Sequence, residues 1–298
     1  MVKQLVETGV ASSAKKGEKL ATGVSTLPDF VKDATDRNRT SPFAFTGNKF
    51  EFRTVGSSDS IASPNTTINA IVAEAFCEAA DRLEKAEDFD MAVHDLIKEY
   101  MTKHQRILFS GNGYSKEWYE EAMRRGLPNI QSTIEAAPTL TTDKAVKLFE
   151  KFGIFTRVEL ESREEIIYET YAKTINIEAL TMIDMAGKDI IPAVAAYTGE
   201  LANTVVTVKE AGAPATAQTE LLVEVDSLLA EAKKALKHLE ECTVHANKIE
   251  NAKERAFYYK DVVDVAMTAL RKPVDKLEML VDSDIWPMPT YGRLMFEI

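Results

Sequence analysis

Six apolar residues, Leu222, Val225, Leu229, Ala232, Leu236 and Leu239, follow one another at steps of three, four, three, four and three. Such a seam is satisfied only when another helix lies along it, so a chain built around it must pack helix on helix. The flanking sequence extends that reading. Upstream, the run from Ser162 through Val208 opens with Ser162 and Glu165 at capping-box spacing and continues for many turns, with Pro192 marking a kink or an end. Downstream, a last helix is expected over roughly 252 to 281, interrupted or kinked near Pro273, and the tail DIWPMPTYGRLMFEI is too aromatic to stay free of the core.

Nearer the N-terminus, Ser63 and Pro64 have the chemistry of an N-cap and a first helical position. Ile68, Ile71, Val72, Ala75, Phe76, Ala79 and Leu83 then recur at three-and-four spacing, the pattern of an amphipathic helix. A second helical run is expected to reach about Lys103, and SGNGYS at 110 to 115 breaks it. The first forty residues hold no sustained period and read as a surface segment. The expected fold class is therefore mainly α: a multi-helix bundle with long helices and a small β-hairpin element near the N-terminus. Two domains are expected, over residues 1 to 110 and 111 to 298.

With 36 basic and 47 acidic side chains the net charge is -11, which disfavours nucleic acid and anionic membrane surfaces as partners. No run of eighteen apolar residues occurs, so no membrane span is expected. Cys77 and Cys242 lie far apart with no CxxC or Cys/His spacing, which suits a reducing compartment, the cytoplasm by default. His94, His104, His238 and His245 lie in helical stretches with no partner at ligand spacing.

The hairpin expectation rests on FAFTGNKFEFR, residues 43 to 53. A turn at Gly47-Asn48 would set Phe45 opposite Phe50 and Phe43 opposite Phe52, with Lys49, Glu51 and Arg53 on the other face. Residues 31 to 56 carry five basic side chains against three acidic ones, a basic island in an acidic chain. Arginine forks suit phosphate or carboxylate, and a carboxylate between cations can hold a hard divalent ion. The same alternation also suits a solvated strand face. SGNGYS lacks the Lys-Ser/Thr of a phosphate-binding P-loop and reads as a plain loop.

The segment DRNRTSPFAFTGNKFEFRTVGSSDSIASPN resembles the late active-site segment of type III glutamine synthetases, and WPMPTYGRLMFEI resembles the C-terminal tail of that branch. The resemblance runs over essentially the whole chain. It implies ATP-dependent ligation: phosphoryl transfer to the glutamate γ-carboxylate, then attack of ammonia on the acyl phosphate. By the matching motif, Glu51 resembles a divalent-metal ligand for Mg2+ or Mn2+, and Arg53 the residue that pairs with substrate glutamate. Arg39 resembles a cation beside the transferred phosphoryl group, and Lys49 occupies a nucleotide-side basic position. Two departures stand out. Lys49 replaces the commoner arginine, and Ala44 stands near where some branches carry another.

Members of that branch are well over twice as long, and their remaining metal carboxylates lie upstream of anything present here. The chain is accordingly expected to be the end of a catalytic domain followed by a helical extension, inactive by itself. A homo-oligomer is expected, through the seam from Leu222 to Leu239 and the aromatic tail. The alternative is a helical oligomerisation or interaction module with no catalytic role.

Overall fold

The computed structural model describes residues 60–108, 115–289 and 291–296, with short stretches at 2–9, 19–20, 30–31, 43–45 and 50–52. The fold is mainly α and divides into two compact units, Met1–Ile130 with Lys147–Ile154, and Gln131–Val146 with Phe155–Ile298. The boundary expected between residues 110 and 111 falls in 109–114, outside the described residues.

In the first unit, α1 (Val2–Thr8), α2 (Ala62–Leu83), α3 (Phe89–Lys103) and α4 (Lys116–Arg124) are joined by short turns or by stretches outside the described residues. Helix α3 begins where its sequence says it should: Asp88 accepts from Met91 N at 3.0 Å, and the last residue is the expected Lys103. It packs on both α1 and α2, burying Leu96 and Leu5. Helix α2 is ordered differently from its signals. Ser63 and Pro64 lie inside it, and Ser60 Oγ accepts from Ala62 N at 3.2 Å instead. Its apolar stripe is present, yet Ala70 is its only buried residue, and Ile71 and Phe76 are 53% and 71% exposed.

The second unit holds α5 (Thr133–Ala136), the start of α6 (Asp143–Lys151), α7 (Arg157–Met185), α8 (Ile191–Glu210), α9 (Thr216–Ala246), α10 (Ala252–Tyr258), α11 (Asp264–Leu280) and α12 (Tyr291–Phe296). The capping box of α7 is not Ser162/Glu165, which lie within the helix. Thr156 caps instead: its backbone N–H donates to Glu159 Oε2 at 2.8 Å, and Glu159 N–H donates to Thr156 Oγ1 at 3.4 Å. The same spacing occurs twice within ten residues, and the earlier copy follows the turn at Gly153.

Helices α7 and α8 form one continuous rod through a π turn at Ala186–Ile190, where Ile191 N–H reaches back to Ala186 O. Pro192, which has no N–H, sits directly after it, in the first turn of α8. A second π turn, Tyr259–Val263, joins α10 to α11. The interruption expected at Pro273 is therefore misplaced. Pro273 lies buried inside α11, which runs on to Leu280, and packing overrides the local penalty.

Helix α9 lies between α8 and α11, and α7 packs on α10. Val225, Ala232, Leu236 and Leu239 of the expected seam are buried, together with Leu228, which the heptad reading passes over. The seam is thus filled by neighbouring helices of the same chain. Each fully buried aliphatic side chain there contributes on the order of 1.5–3 kcal/mol relative to exposure. Ala172, Ala179, Ala232 and Ala246 have almost no accessible surface, and their small side chains let the helix backbones approach closely. Beyond α11, Asp282 Oδ1 accepts from Asp284 N at 2.8 Å and Asp282 O accepts from Trp286 N at 2.9 Å. This turn returns Trp286 to the core at 5% exposure, while Phe296 of the same tail is 78% exposed.

The small β-hairpin expected near residues 42 to 54 is not supported as an element of the fold. Backbone traces of two and three residues pair at 19–20 with 30–31 and at 43–45 with 50–52. Residues 46–49 lie outside the described residues, as do all side chains of these traces, so no aromatic ladder is established.

Candidate functional site

Of the four residues singled out from the sequence, Arg39, Lys49 and Arg53 lie outside the described residues, as does the side chain of Glu51. The structure neither brings them together nor separates them. Among the described residues, no three His, Cys, Asp or Glu side chains are grouped so as to hold a metal ion.

The histidines occupy other roles. His94 Nε2 lies 3.1 Å from Gly9 O and its Nδ1 3.3 Å from Asp95, within the first unit. His104 meets the Tyr100 ring edge-on at 6.4 Å, and His245 lies 5.0 Å from the Tyr258 ring. His238, one turn before Cys242, places Nε2 3.6 Å from its sulfur. Burial pushes the Cys242 thiol upward, so it stays protonated and unreactive at neutral pH.

The polar chemistry that the described residues do carry serves to fix helices. In the first unit, Glu121 takes Arg124 Nε at 2.6 Å and Arg125 Nε at 2.5 Å. Those donors hold its carboxyl down to about 2, Arg124 contributing most. Arg125 also donates to Leu108 O at 2.7 Å and lies over the Trp118 ring, tying α4 to the end of the preceding segment.

In the second unit, Lys260 Nζ donates to Glu135 Oε1 at 2.7 Å, joining the π turn after α10 to α5. Thr141 donates to Glu164 Oε2 at 2.6 Å and Tyr168 to Glu164 Oε1 at 2.8 Å. Burial first, and that carboxylate second, raise the Tyr168 phenol well above its usual range, so it stays a donor. A third group sits deeper. The Tyr259 hydroxyl lies 2.8 Å from Asn176 Oδ1 and 2.9 Å from Asn247 Oδ1. Asn247 Nδ2 in turn donates to Asn176 Oδ1 at 3.3 Å, so the three side chains close a triangle in which the single hydroxyl proton is shared between two acceptors.

The Glu121 pairs and Glu164–Tyr168 lie at helical i,i+3 and i,i+4 spacing, but the two long-range groups left no signal in the sequence. Glu135 and Lys260 are 125 positions apart and Asn176 and Asn247 are 71 apart, separations at which no spacing rule operates. They are also saturated by one another, which is the arrangement of a scaffold and not of groups waiting for a substrate.

Comparison with known proteins supplies what geometry does not. The family described as the glutamine synthetase C-terminal domain matches residues 92–209. A glutamine synthetase of Butyrivibrio fibrisolvens is 38% identical over 311 residues, covering 100% of this chain and 43% of that protein. A type-3 glutamine synthetase of Dictyostelium discoideum is 39% identical, covering 92% of this chain and 38% of its own length. A glutamine synthetase of Bacteroides fragilis is 35% identical over 99% of this chain and 42% of its own length. The chain thus spans about two fifths of the length of the curated relatives it matches.

Proposed function

We infer, from the membership of this chain in the glutamine synthetase family, that it supplies the C-terminal part of an enzyme joining ammonia to glutamate at the expense of ATP. The observation that carries this reading is similarity at 35–39% identity along 92–100% of the chain, against relatives named glutamine synthetase. In this reading residues 1 to 110 are the end of the catalytic domain, and residues 111 to 298 form its helical extension.

The catalytic work falls to the basic island. Arg39 offers a forked donor to the oxygens of the phosphoryl group in flight, where charge neutralisation and alignment account for most of the acceleration. Arg53 pairs with a carboxylate of the substrate glutamate and fixes it for attack, a contact for which a planar guanidinium is better suited than an ammonium. Lys49 adds a point charge on the nucleotide side. Glu51 is assigned to a divalent ion, Mg2+ or Mn2+, that would neutralise phosphate charge when bound.

A hard divalent ion needs about six or more oxygen ligands. Glu51 is one carboxylate, and the described residues add no grouped ligands. The described residues therefore do not make up a complete metal site. The remaining ligands are assigned to the portion of the enzyme that the relatives carry and this chain does not span. The test is a chimaera in which this chain replaces its counterpart in the Butyrivibrio fibrisolvens relative. Glutamate- and ammonium-dependent phosphate release from ATP is expected of the chimaera and not of the chain alone. A folded chimaera without that activity, or a chain active alone, overturns the reading.

A further inference from the structure

Helix α2 is packed on one side and carries its apolar residues on the other. At about 100° per residue, Ile68, Ile71, Val72, Ala75, Phe76 and Ala79 share a face whose centre lies roughly 170° around the helix from Ala70, its one buried residue. The Ala70 side also holds Glu74, which takes Lys151 Nζ from the stretch Lys147–Ile154 of the same unit. The face that the sequence marks for burial is therefore the one left open. Phe76 is 71% exposed and Ile71 53%, Ala75 is exposed with them, and Ile68, Val72 and Ala79 are half-buried.

Three observations say what covers it. Between residues 68 and 79 the face holds no charged side chain, so a charged partner finds no counterpart there and an apolar one does. The match to the glutamine synthetase C-terminal domain begins at residue 92, beyond the end of α2 at Leu83, while the similarity to the Butyrivibrio fibrisolvens relative runs through α2 along the whole chain. By sequence, α2 belongs with what precedes that domain. The chain spans 43% of that relative, so more than half of such a polypeptide lies outside it. A helix of 22 residues with an apolar face ordinarily lays that face on another layer of the fold.

We propose that the apolar face of α2 is the docking surface for the N-terminal portion of the enzyme that the relatives carry and this chain does not span, and that it meets there an uncharged, apolar layer. The proposal rests on the ligase reading for the identity of that portion.

The test compares the chain alone with the chimaera that joins it to the N-terminal portion of the Butyrivibrio fibrisolvens relative. In a Cys77→Ser background, Ala75→Cys places a thiol on the face, and its rate of reaction with N-ethylmaleimide is read at that residue by peptide mass spectrometry, against the urea-unfolded protein. In the chain alone the rate is expected to lie close to the unfolded one. In the folded chimaera it is expected to fall by about tenfold or more, at every dilution. Should Ala75→Cys not fold, Ile71→Cys, one turn earlier, reports on the same face. Phe76→Glu is expected to leave the melting temperature of the chain alone in place and to lower that of the chimaera, because the charge is buried only in the second.

Equal labelling of the chain alone and of the folded chimaera overturns the proposal. So does slow labelling of the chain alone: independent of concentration, it means that residues of this chain cover the face, and deepening with concentration, that a second copy does. Phosphate release separates the two claims. A protected chimaera without ligase activity leaves the docking surface standing and overturns the ligase reading, and an active chimaera labelled as fast as the chain alone does the reverse.

Discussion

Lys260 Nζ and Glu135 Oε1 meet at 2.7 Å although 125 residues separate them, and the contact fixes the π turn after α10 against the short helix α5. Hydrogen bonding to Lys260 is the leading cause that lowers the Glu135 carboxyl from 4.5, and the same bond is the leading cause that raises Lys260 from 10.5. A lowered carboxyl contributes stability that is present above its unfolded value and lost as pH falls through the folded one. A raised ammonium contributes stability lost as pH rises through its folded value. Glu135→Gln is therefore expected to melt below the parent between about pH 5 and 10, with the difference closing under acid. Melting curves across pH check this, and a constant difference down to pH 2 would contradict it.

Tyr259 is 1% exposed and its hydroxyl sits between Asn176 and Asn247. Tyr259→Phe keeps the ring and removes the hydroxyl that meets both amides, leaving the Asn247 Nδ2 to Asn176 Oδ1 hydrogen bond at 3.3 Å. The expected cost is about 0.5–1.5 kcal/mol, the worth of one neutral hydrogen bond, because exposed Asn247 can recover water and half-buried Asn176 keeps its bond from Asn247. Urea denaturation followed by circular dichroism measures it.

Leu239 has no accessible surface and lies in the apolar cluster with Leu236, Cys242 and Val263. Leu239→Ala is expected to destabilise the second unit by about 2–5 kcal/mol through lost burial and the void left behind. A loss below about 1 kcal/mol would mean that the α9 seam is not packed as described.

Gly212 ends the turn after α8 with φ of 90°, and nothing lies within 4 Å of where a Cβ would be. Gly212→Ala should then cost only the backbone term, about 1 kcal/mol, with no steric addition. Thermal melts of the two proteins separate this from the larger loss that a hidden clash would give.

In an active chimaera, Glu51→Ala and Arg53→Ala are expected to fail differently. The first should abolish turnover at any glutamate concentration, and the second should chiefly raise KM for glutamate. Equal, mild effects of both substitutions on kcat and KM would remove the assigned roles.

How far the fold could be read in advance depended on whether its causes were local. The α9 stripe was legible because burial on one face repeats every three or four residues, although Leu228 escaped a strict heptad count. The start of α7 was misread because Ser162 and Thr156 offer the same capping chemistry, and only the turn at Gly153 decides between them. Pro192 marked the irregularity at the first π turn, the second leaves no such signature, and Pro273 pointed to a break where packing allows none. The candidate site was legible only through family resemblance. Arg39, Lys49, Glu51 and Arg53 have a spacing that a solvated strand would share, and their side chains lie outside the described residues.

The π turn between α7 and α8 has the form of an inserted residue. Ala172, Ala179 and Ala186 are buried at intervals of seven; Ile190, Val194 and Leu201 then follow at steps of four, four and seven, so eight residues and not seven separate Ala186 from Val194 across the turn. The turn absorbs the surplus, so both halves present one continuous stripe to the core. A one-codon deletion among the exposed Gly187, Lys188 and Asp189 would restore unbroken sevens, leaving Pro192 as the price of an uninterrupted helix. The same deletion in the middle of α9 would swing every later side chain by about 100° off the core. Length variation along this ancestry should therefore collect at the turn and spare the helix beside it.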